Sequence, residues 1–232
     1  MSNLSDTPTF ASRRAELQDY FDRTAFEAWR RLTSDAPVSR IRETVRRGRD
    51  DMRATILSWL PADLGGLRLL DAGCGTGALA VEAARRGAEV VAIDVARGLV
   101  EVAAERAPAA TKGLIEWRAG DMLDPALGRF DHVVAMDSLI HYATPDMVRA
   151  VAALAARTRG SVIFTFAPRT ALLSAMHLTG RLFPRADRAP AIVPAPGRRL
   201  AAALAGEGLK VGRTRRIACG FYTSQALEVL AP

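Results

Sequence analysis

The segment that most constrains this chain is Leu69–Gly77, L-L-D-A-G-C-G-T-G, followed by V-V-A-I-D ending at Asp94. Leu67 to Leu70 reads as a buried strand, and glycines then occupy alternate positions, Gly73, Gly75 and Gly77. Ala78 to Arg86 reads as a helix, with Leu79, Val81 and Ala83 on its apolar surface and Gly87 at its end. A strand, a glycine loop and a helix form the first half of a nucleotide-binding βαβ unit. There the missing Cβ atoms let a ligand approach the backbone closely.

The spacing departs from the dinucleotide fingerprint. G-x-G-x-x-G, counted from Gly73, would need a third glycine where Ala78 stands. The chain instead has G-x-G-x-G, preceded by Asp71 at the strand end. A pyrophosphate favours a helix N-terminus without a neighbouring carboxylate, whereas an acid suits a ligand carrying an ammonium. Asp94 ends the next strand, where an acid accepts hydrogen bonds from ribose hydroxyls. Amine at one end and ribose at the other describe S-adenosylmethionine. At these residues the sequence resembles the class I S-adenosylmethionine-dependent methyltransferases, over roughly residues 65 to 168. The competing interpretation is a chance glycine turn in another doubly wound domain. The strand, helix and second acid around the motif weigh against it.

The expected fold is α/β: a doubly wound, seven-stranded, mostly parallel, Rossmann-like sheet. It comprises an N-terminal helical lid (1–62), a cofactor-binding core (63–168), a helical insertion after strand five (169–207) and a closing strand hairpin (208–232). Helices are predicted over Ala11–Leu32 and Arg40–Leu60, separated by a break at Asp35–Ser39. The core strands are predicted at Ala88–Asp94, Leu114–Arg118, Phe130–Met136 and Ser161–Ala167, with helices over Arg97–Arg106 and Thr144–Ala156. Beyond them come helices over Ala171–Phe183 and Arg198–Glu207, then strands over Lys210–Ile217 and Gly220–Val229. The helical lid has a plainer reading as a pair that simply packs on the sheet.

With 232 residues, 49% of them hydrophobic, the chain can bury a substantial core. No run of about 18 apolar residues is present. The N-terminus lacks the basic flank and apolar stretch of a signal peptide. Two cysteines, Cys74 and Cys219, indicate a reducing compartment rather than a disulfide framework. The net charge of +7 is concentrated between Arg181 and Arg216. Arginine-rich clusters favour bidentate contact with carboxylate or phosphate, although a compositional bias of the source accounts for much of the total.

Three further segments specify the acceptor. Y-F-D-R-T-A-F-E-A-W-R-R-L-T-S-D (Tyr20–Asp35), V-S-R-I-R-E-T-V-R-R-G-R-D (Val38–Asp50) and D-S-L-I-H-Y after strand four resemble the magnesium-protoporphyrin IX O-methyltransferases of (bacterio)chlorophyll synthesis. The likeness extends to the C-terminal G-F-Y-T-S. It implies esterification of one propionate of magnesium-protoporphyrin IX, with S-adenosylmethionine as cosubstrate. It also implies no protein-bound metal, the magnesium residing in the substrate.

The cofactor set is then Asp71, Gly73, Cys74, Gly75, Gly77, Asp94, Val95, Asp121, Met122 and Asp137. Cys74 is expected as a small space-filler, and Asp121 has the alternative role of a turn acid. A propionate is already ionised at neutral pH, so it needs orientation and desolvation rather than a strong base. His141 and Tyr20 are the catalytic candidates in that orienting role. Arg181, Arg185 and Met176 are the substrate-binding candidates. His132 is expected to be structural, and His177 a surface or packing residue whose alternative is axial contact with the porphyrin magnesium.

The implied partners are the porphyrin and the magnesium chelatase subunit that would deliver it. The implied location is cytoplasmic, with a peripheral place on a photosynthetic membrane. Two rivals stand beside this expectation: another small-molecule methyltransferase, for instance on a quinone ring, and an RNA-modifying enzyme. No RNA-binding motif or aromatic-interleaved basic stripe supports the latter, so no nucleic-acid partner is expected.

Overall fold

A computed structural model describes residues 8–24, 26–33, 37, 39–111, 114–169 and 192–231. The central sheet contains β1 (Arg68–Ala72), β2 (Glu89–Asp94), β3 (Ile115–Ala119), β4 (Phe130–Ala135), β5 (Thr158–Phe166), β6 (Lys210–Cys219) and β7 (Tyr222–Leu230). Their order is β3-β2-β1-β4-β5-β7-β6. The first five strands run parallel, and β7 lies antiparallel to both neighbours. This is the doubly wound sheet the residues predict, including the reversed final hairpin.

Each central strand is apolar on both faces because helices cover both. Side chains alternate across a strand, so β1 and β2 feed two cores. Leu70, Ala72, Val91 and Ile93 join Val133, Met147, Val151 and Phe164 on one side. Leu69, Val90 and Ala92 join Met52, Ile56, Leu79 and Ala83 on the other. The helices are α1 (Pro8–Asp19), α2 (Phe26–Leu32), α3 (Arg40–Trp59), α4 (Ala78–Arg85), α5 (Arg97–Arg106), α6 (Thr144–Ala155) and α7 (Gly197–Gly206). The outer strand β6 carries exposed Arg213, Arg215 and Arg216, the charged side chains that discourage edge-to-edge pairing.

The N-terminal helix departs from expectation. It is not continuous over Ala11–Leu32 but opens into a π-helical turn at Tyr20–Thr24, between α1 and α2. A π turn spends an extra residue per turn, so the aromatics on either side do not form one straight stripe. Strand five begins at Thr158 rather than Ser161. The segment after β4 contains a short 3-10 turn, Leu139–His141, that periodicity did not announce.

Helix α3 buries Gly48, Met52, Ile56 and Leu57. Gly48 permits a close approach, because a Cβ there would stand 2.5 Å from Cδ1 of Tyr222 on β7. The strand order reverses between β1 and β4, and ligands of such sheets bind beyond the carboxyl ends at that reversal. Loops 73–77, 94–96 and 137–142 converge there, and the π turn and α2 lie against them.

Candidate active site

The glycine loop is held by backbone bonds to the end of β2. The amides of Gly73 and Cys74 both donate to the carbonyl of Ile93, at 2.8 and 3.0 Å. Asp94 accepts from the Gly75 amide through Oδ2 (2.8 Å) and from the Ala96 amide through Oδ1 (2.9 Å). Gly73 is left-handed, with φ +87°, and a Cβ there would lie 2.3 Å from Cβ of Ser138. Only glycine meets both conditions. Ser138 in turn donates to the carbonyl of Ala72 at 2.8 Å, tying the β4 loop to the end of β1.

Asp71 is buried, and its Oδ2 has no hydrogen-bonding partner. Burial, and secondarily the charge of Asp94, raise its carboxyl to about 7. The thiol of Cys74 is pushed well up by burial and the two neighbouring acids. That agrees with a space-filling role, since a nucleophilic cysteine needs a depressed pKa.

Past β4, Asp137 adopts a left-handed backbone, φ +54°, the only non-glycine residue among those described to do so. Its amide donates to Thr165 Oγ1 at 2.7 Å. Its carboxylate receives Arg49 Nη1 at 2.6 Å on Oδ2, the Tyr222 hydroxyl at 3.1 and 3.2 Å, and the hydroxyls of Thr165 and Ser224 at 3.2 and 3.3 Å. Four donors over-determine the position of Asp137, which is how such a backbone conformation persists. The phenol of Tyr222 is held far above its ordinary value by burial first and by Asp137 next, so it remains a donor. The Arg49 guanidinium also lies 4.8 Å from the centre of the Trp29 ring.

Arg49, Thr165, Tyr222 and Ser224 were not among the residues singled out from the sequence. Arg49 did carry a signal. Val45, Met52 and Ile56 mark the inward stripe of α3, and Arg49 falls on that stripe at i+4 from Val45. A charge in an apolar stripe needs a buried partner, and Asp137 supplies it.

Three cavities meet at Trp29 and Arg49. The first, about 250 Å3, is lined by Asp71, Gly73 and Thr76 with Arg46, Arg49 and Arg53. The second is a narrow cleft between the glycine loop, Asp94, Val95, Gly120 and Met122 on one side and Phe21, Ser138, His141 and Tyr142 on the other. The third, about 340 Å3, is bounded by Tyr20, Phe21, Ile140, His141, Ile192, Phe221 and Tyr222. His141 and Phe21 wall both the cleft and the larger cavity, and their ring centres are 6.1 Å apart.

Tyr20, in the π turn, packs edge-on against Phe21 at 5.2 Å. Burial raises its phenol, keeping it protonated. Of the cofactor candidates, Asp71, Gly73, Cys74, Gly75, Asp94, Val95, Met122 and Asp137 line one or more of these cavities. Gly77 instead packs beneath the loop, where a Cβ would meet Trp117 at 2.4 Å.

Asp121, which does not line the cleft, makes the contacts of a turn acid. Its Oδ1 accepts from the Leu123 amide at 2.9 Å and its Oδ2 pairs with Arg14 of α1. Gly120 and Met122 thus form this wall of the cleft. His132 sits within β4, with Nδ1 3.1 Å from Ser161 Oγ. Arg181, Arg185, Met176 and His177 lie outside the described residues. Among those described, no group of His, Cys, Asp and Glu side chains is placed to hold a metal ion.

The first cavity and the cleft fit S-adenosylmethionine by chemistry. The unpartnered Asp71 oxygen matches an ammonium, and Arg46 and Arg53 of the first cavity match a carboxylate. Asp94 retains lone pairs for a ribose, and Met122 and Val95 offer apolar surface to a base.

Comparison with known proteins follows the same division. Residues 69–160 match a methyltransferase domain, and residues 135–231 match the family model described as the magnesium-protoporphyrin IX methyltransferase C-terminus. The magnesium-protoporphyrin O-methyltransferase of Rhodobacter capsulatus is 49% identical over 220 residues, 94% of this chain and 97% of that one. This chain belongs to that family. The chloroplastic magnesium protoporphyrin IX methyltransferase of Arabidopsis thaliana is 31% identical, across 92% of this chain and 70% of its own. A crystal structure of the magnesium protoporphyrin IX methyltransferase from Synechocystis PCC 6803, with bound SAH, superposes with a TM-score of 0.83. It is 29% identical and aligned over 94% of this chain and 100% of that one.

Proposed function

We infer that the protein transfers a methyl group from S-adenosylmethionine to one propionate carboxylate of magnesium-protoporphyrin IX, giving the monomethyl ester and S-adenosylhomocysteine. The observation that carries this reading is the largely apolar cavity of about 340 Å3 that shares His141 and Phe21 with the cofactor cleft. The family match through residues 135–231, which supply part of the acceptor cavity, favours a porphyrin over a quinone ring or an RNA.

The cosubstrate supplies an electrophilic methyl on a sulfonium; a carboxylate oxygen bonds to that carbon as the carbon–sulfur bond breaks. Both charges vanish in the products, so no proton need be removed. An apolar enclosure favours a step that neutralises charge, because it solvates the separated ions poorly. His141 on the shared wall and Tyr20 inside the larger cavity orient the acceptor oxygen, and the π turn and α2 exclude water. Helices α1 and α2 with the π turn between them then act as the lid of the site, tied down by Phe10 stacked on Tyr142 at 4.6 Å and by Arg14 on Asp121, while α3 packs on the sheet.

The test is transfer of labelled methyl from S-adenosylmethionine to magnesium-protoporphyrin IX. Label is expected in the porphyrin, with His141→Ala reducing kcat about a hundredfold and Tyr20→Phe about tenfold while cofactor affinity holds. An unlabelled porphyrin despite tight cofactor binding would sink the acceptor assignment.

Among the described residues no helix is long and apolar enough to cross a membrane. Exposed Ile192 and Phe221 at the cavity rim, beside Arg42, support a peripheral contact with anionic lipid. Co-sedimentation with anionic but not neutral vesicles checks it. The substrate implies a metal-inserting enzyme upstream, and direct delivery by a chelatase subunit is the corresponding partner reading.

A further inference from the structure

A carboxylate acceptor raises a problem that the catalytic pair does not solve. The anion must leave water for an apolar cavity, which is costly without a partner, yet a strong cationic partner would hold the ground state and blunt the nucleophile. The wall between the cofactor cleft and the acceptor cavity contains a group suited to this conflict. Arg49 lines both, with its side chain 20% exposed and Asp137 6% exposed. Its Nη1 is committed to Asp137. A guanidinium has five N–H donors in a planar fork, so further donors remain beyond the one given to Asp137.

We propose that the Arg49–Asp137 pair is the carboxylate receptor of the acceptor cavity and the residue pair that selects a free acid over its ester. This rests on the acceptor reading above. Arg49 supplies directed hydrogen bonds to the reacting propionate, and Asp137 cancels most of its net charge. The nucleophile is therefore aimed without being trapped. The transition state carries less negative charge than the bound carboxylate, so an uncompensated arginine would favour the ground state; the compensated one discriminates little between them. Once the oxygen is methylated it is a poor acceptor for a guanidinium, which favours release of the ester. Tyr222, Ser224 and Thr165 hold Asp137 and hence the guanidinium, and Trp29 lies against its face.

The experiment compares affinities of the full-length protein for magnesium-protoporphyrin IX and for its dimethyl ester, read from the Soret band, in wild type and in Arg49→Gln and Arg49→Lys. S-adenosylmethionine affinity is measured alongside by calorimetry. The wild type should prefer the diacid. Arg49→Gln should lose on the order of tenfold to a hundredfold of that preference, with ester and cofactor affinities within about twofold of wild type. Arg49→Lys, which keeps the charge, should restore part of it.

An unchanged preference in Arg49→Gln overturns the proposal. So does a cofactor affinity that falls while the preference stays, which would make Arg49 a clamp on the cofactor carboxylate. Equal loss for both porphyrins would reduce Arg49 to a structural part. A wild type that binds the two porphyrins alike defeats this proposal alone. A wild type that binds neither defeats the acceptor reading with it.

Discussion

Asp71, next to the last residue of β1, has one carboxylate oxygen unpartnered and a carboxyl raised to about 7 by burial and by Asp94. An ammonium ligand needs the ionised form, so binding below pH 7 must expel a proton. S-adenosylmethionine affinity is accordingly expected to fall about tenfold per pH unit below about 7 and to level above it. Calorimetry near pH 6, in buffers of different ionisation enthalpy, should register close to one proton released. Asp71→Asn should flatten the profile and weaken binding at pH 8. A pH-independent affinity in wild type would exclude Asp71 as the ammonium's partner.

At the scale of elements, α3 links the core to the acceptor wall through two neighbouring positions. Arg49 pairs with Asp137, and Gly48 lets the helix rest on the Tyr222 ring, whose hydroxyl holds the same Asp137. Gly48→Ala would gain about 1 kcal/mol in helix propensity but overpack the contact by about 1–3 kcal/mol. The expected result is a slightly lower melting temperature with porphyrin affinity reduced and cofactor affinity retained. Spectroscopic titration of each ligand checks it; equal weakening of both would mean that α3 moves as a whole.

For the whole molecule, the cofactor joins parts far apart in sequence: the ends of β1, β2 and β4, and α3. It should therefore stabilise the fold as a unit, by about 2.7 kcal/mol at a concentration a hundredfold above its Kd. The sign with pH follows from Asp71. Its folded-state carboxyl lies above the ordinary value, so the ligand-free protein loses stability as pH rises from about 4 to 7. The ammonium offsets that loss. Thermal denaturation at a fixed cofactor concentration should show a larger rise at pH 7.5 than at 5.5.

The glycine loop, the acids at the strand ends, the sheet class and the position of His141 were legible because each depends on local rules: backbone freedom at Gly73, burial on both faces of a parallel strand, and ligand binding beyond carboxyl ends. The resemblance of Tyr20–Asp35 and Val38–Asp50 to a known family reached the acceptor that those rules could not. The break between α1 and α2 was not legible, since a π turn leaves the apolar spacing close to helical. Nor was the pairing of Asp121 with Arg14, which lies 107 positions away. The network around Asp137 joins α3, β4, β5 and β7, and pairing across such distances arises only when the sheet assembles. By itself the sequence determined what this protein binds and which fold holds it. Tertiary structure alone decided which arginine pairs with Asp137, because that carboxylate and its supporting hydroxyls come from the loop after β4 and from β5 and β7, which meet only in the folded chain.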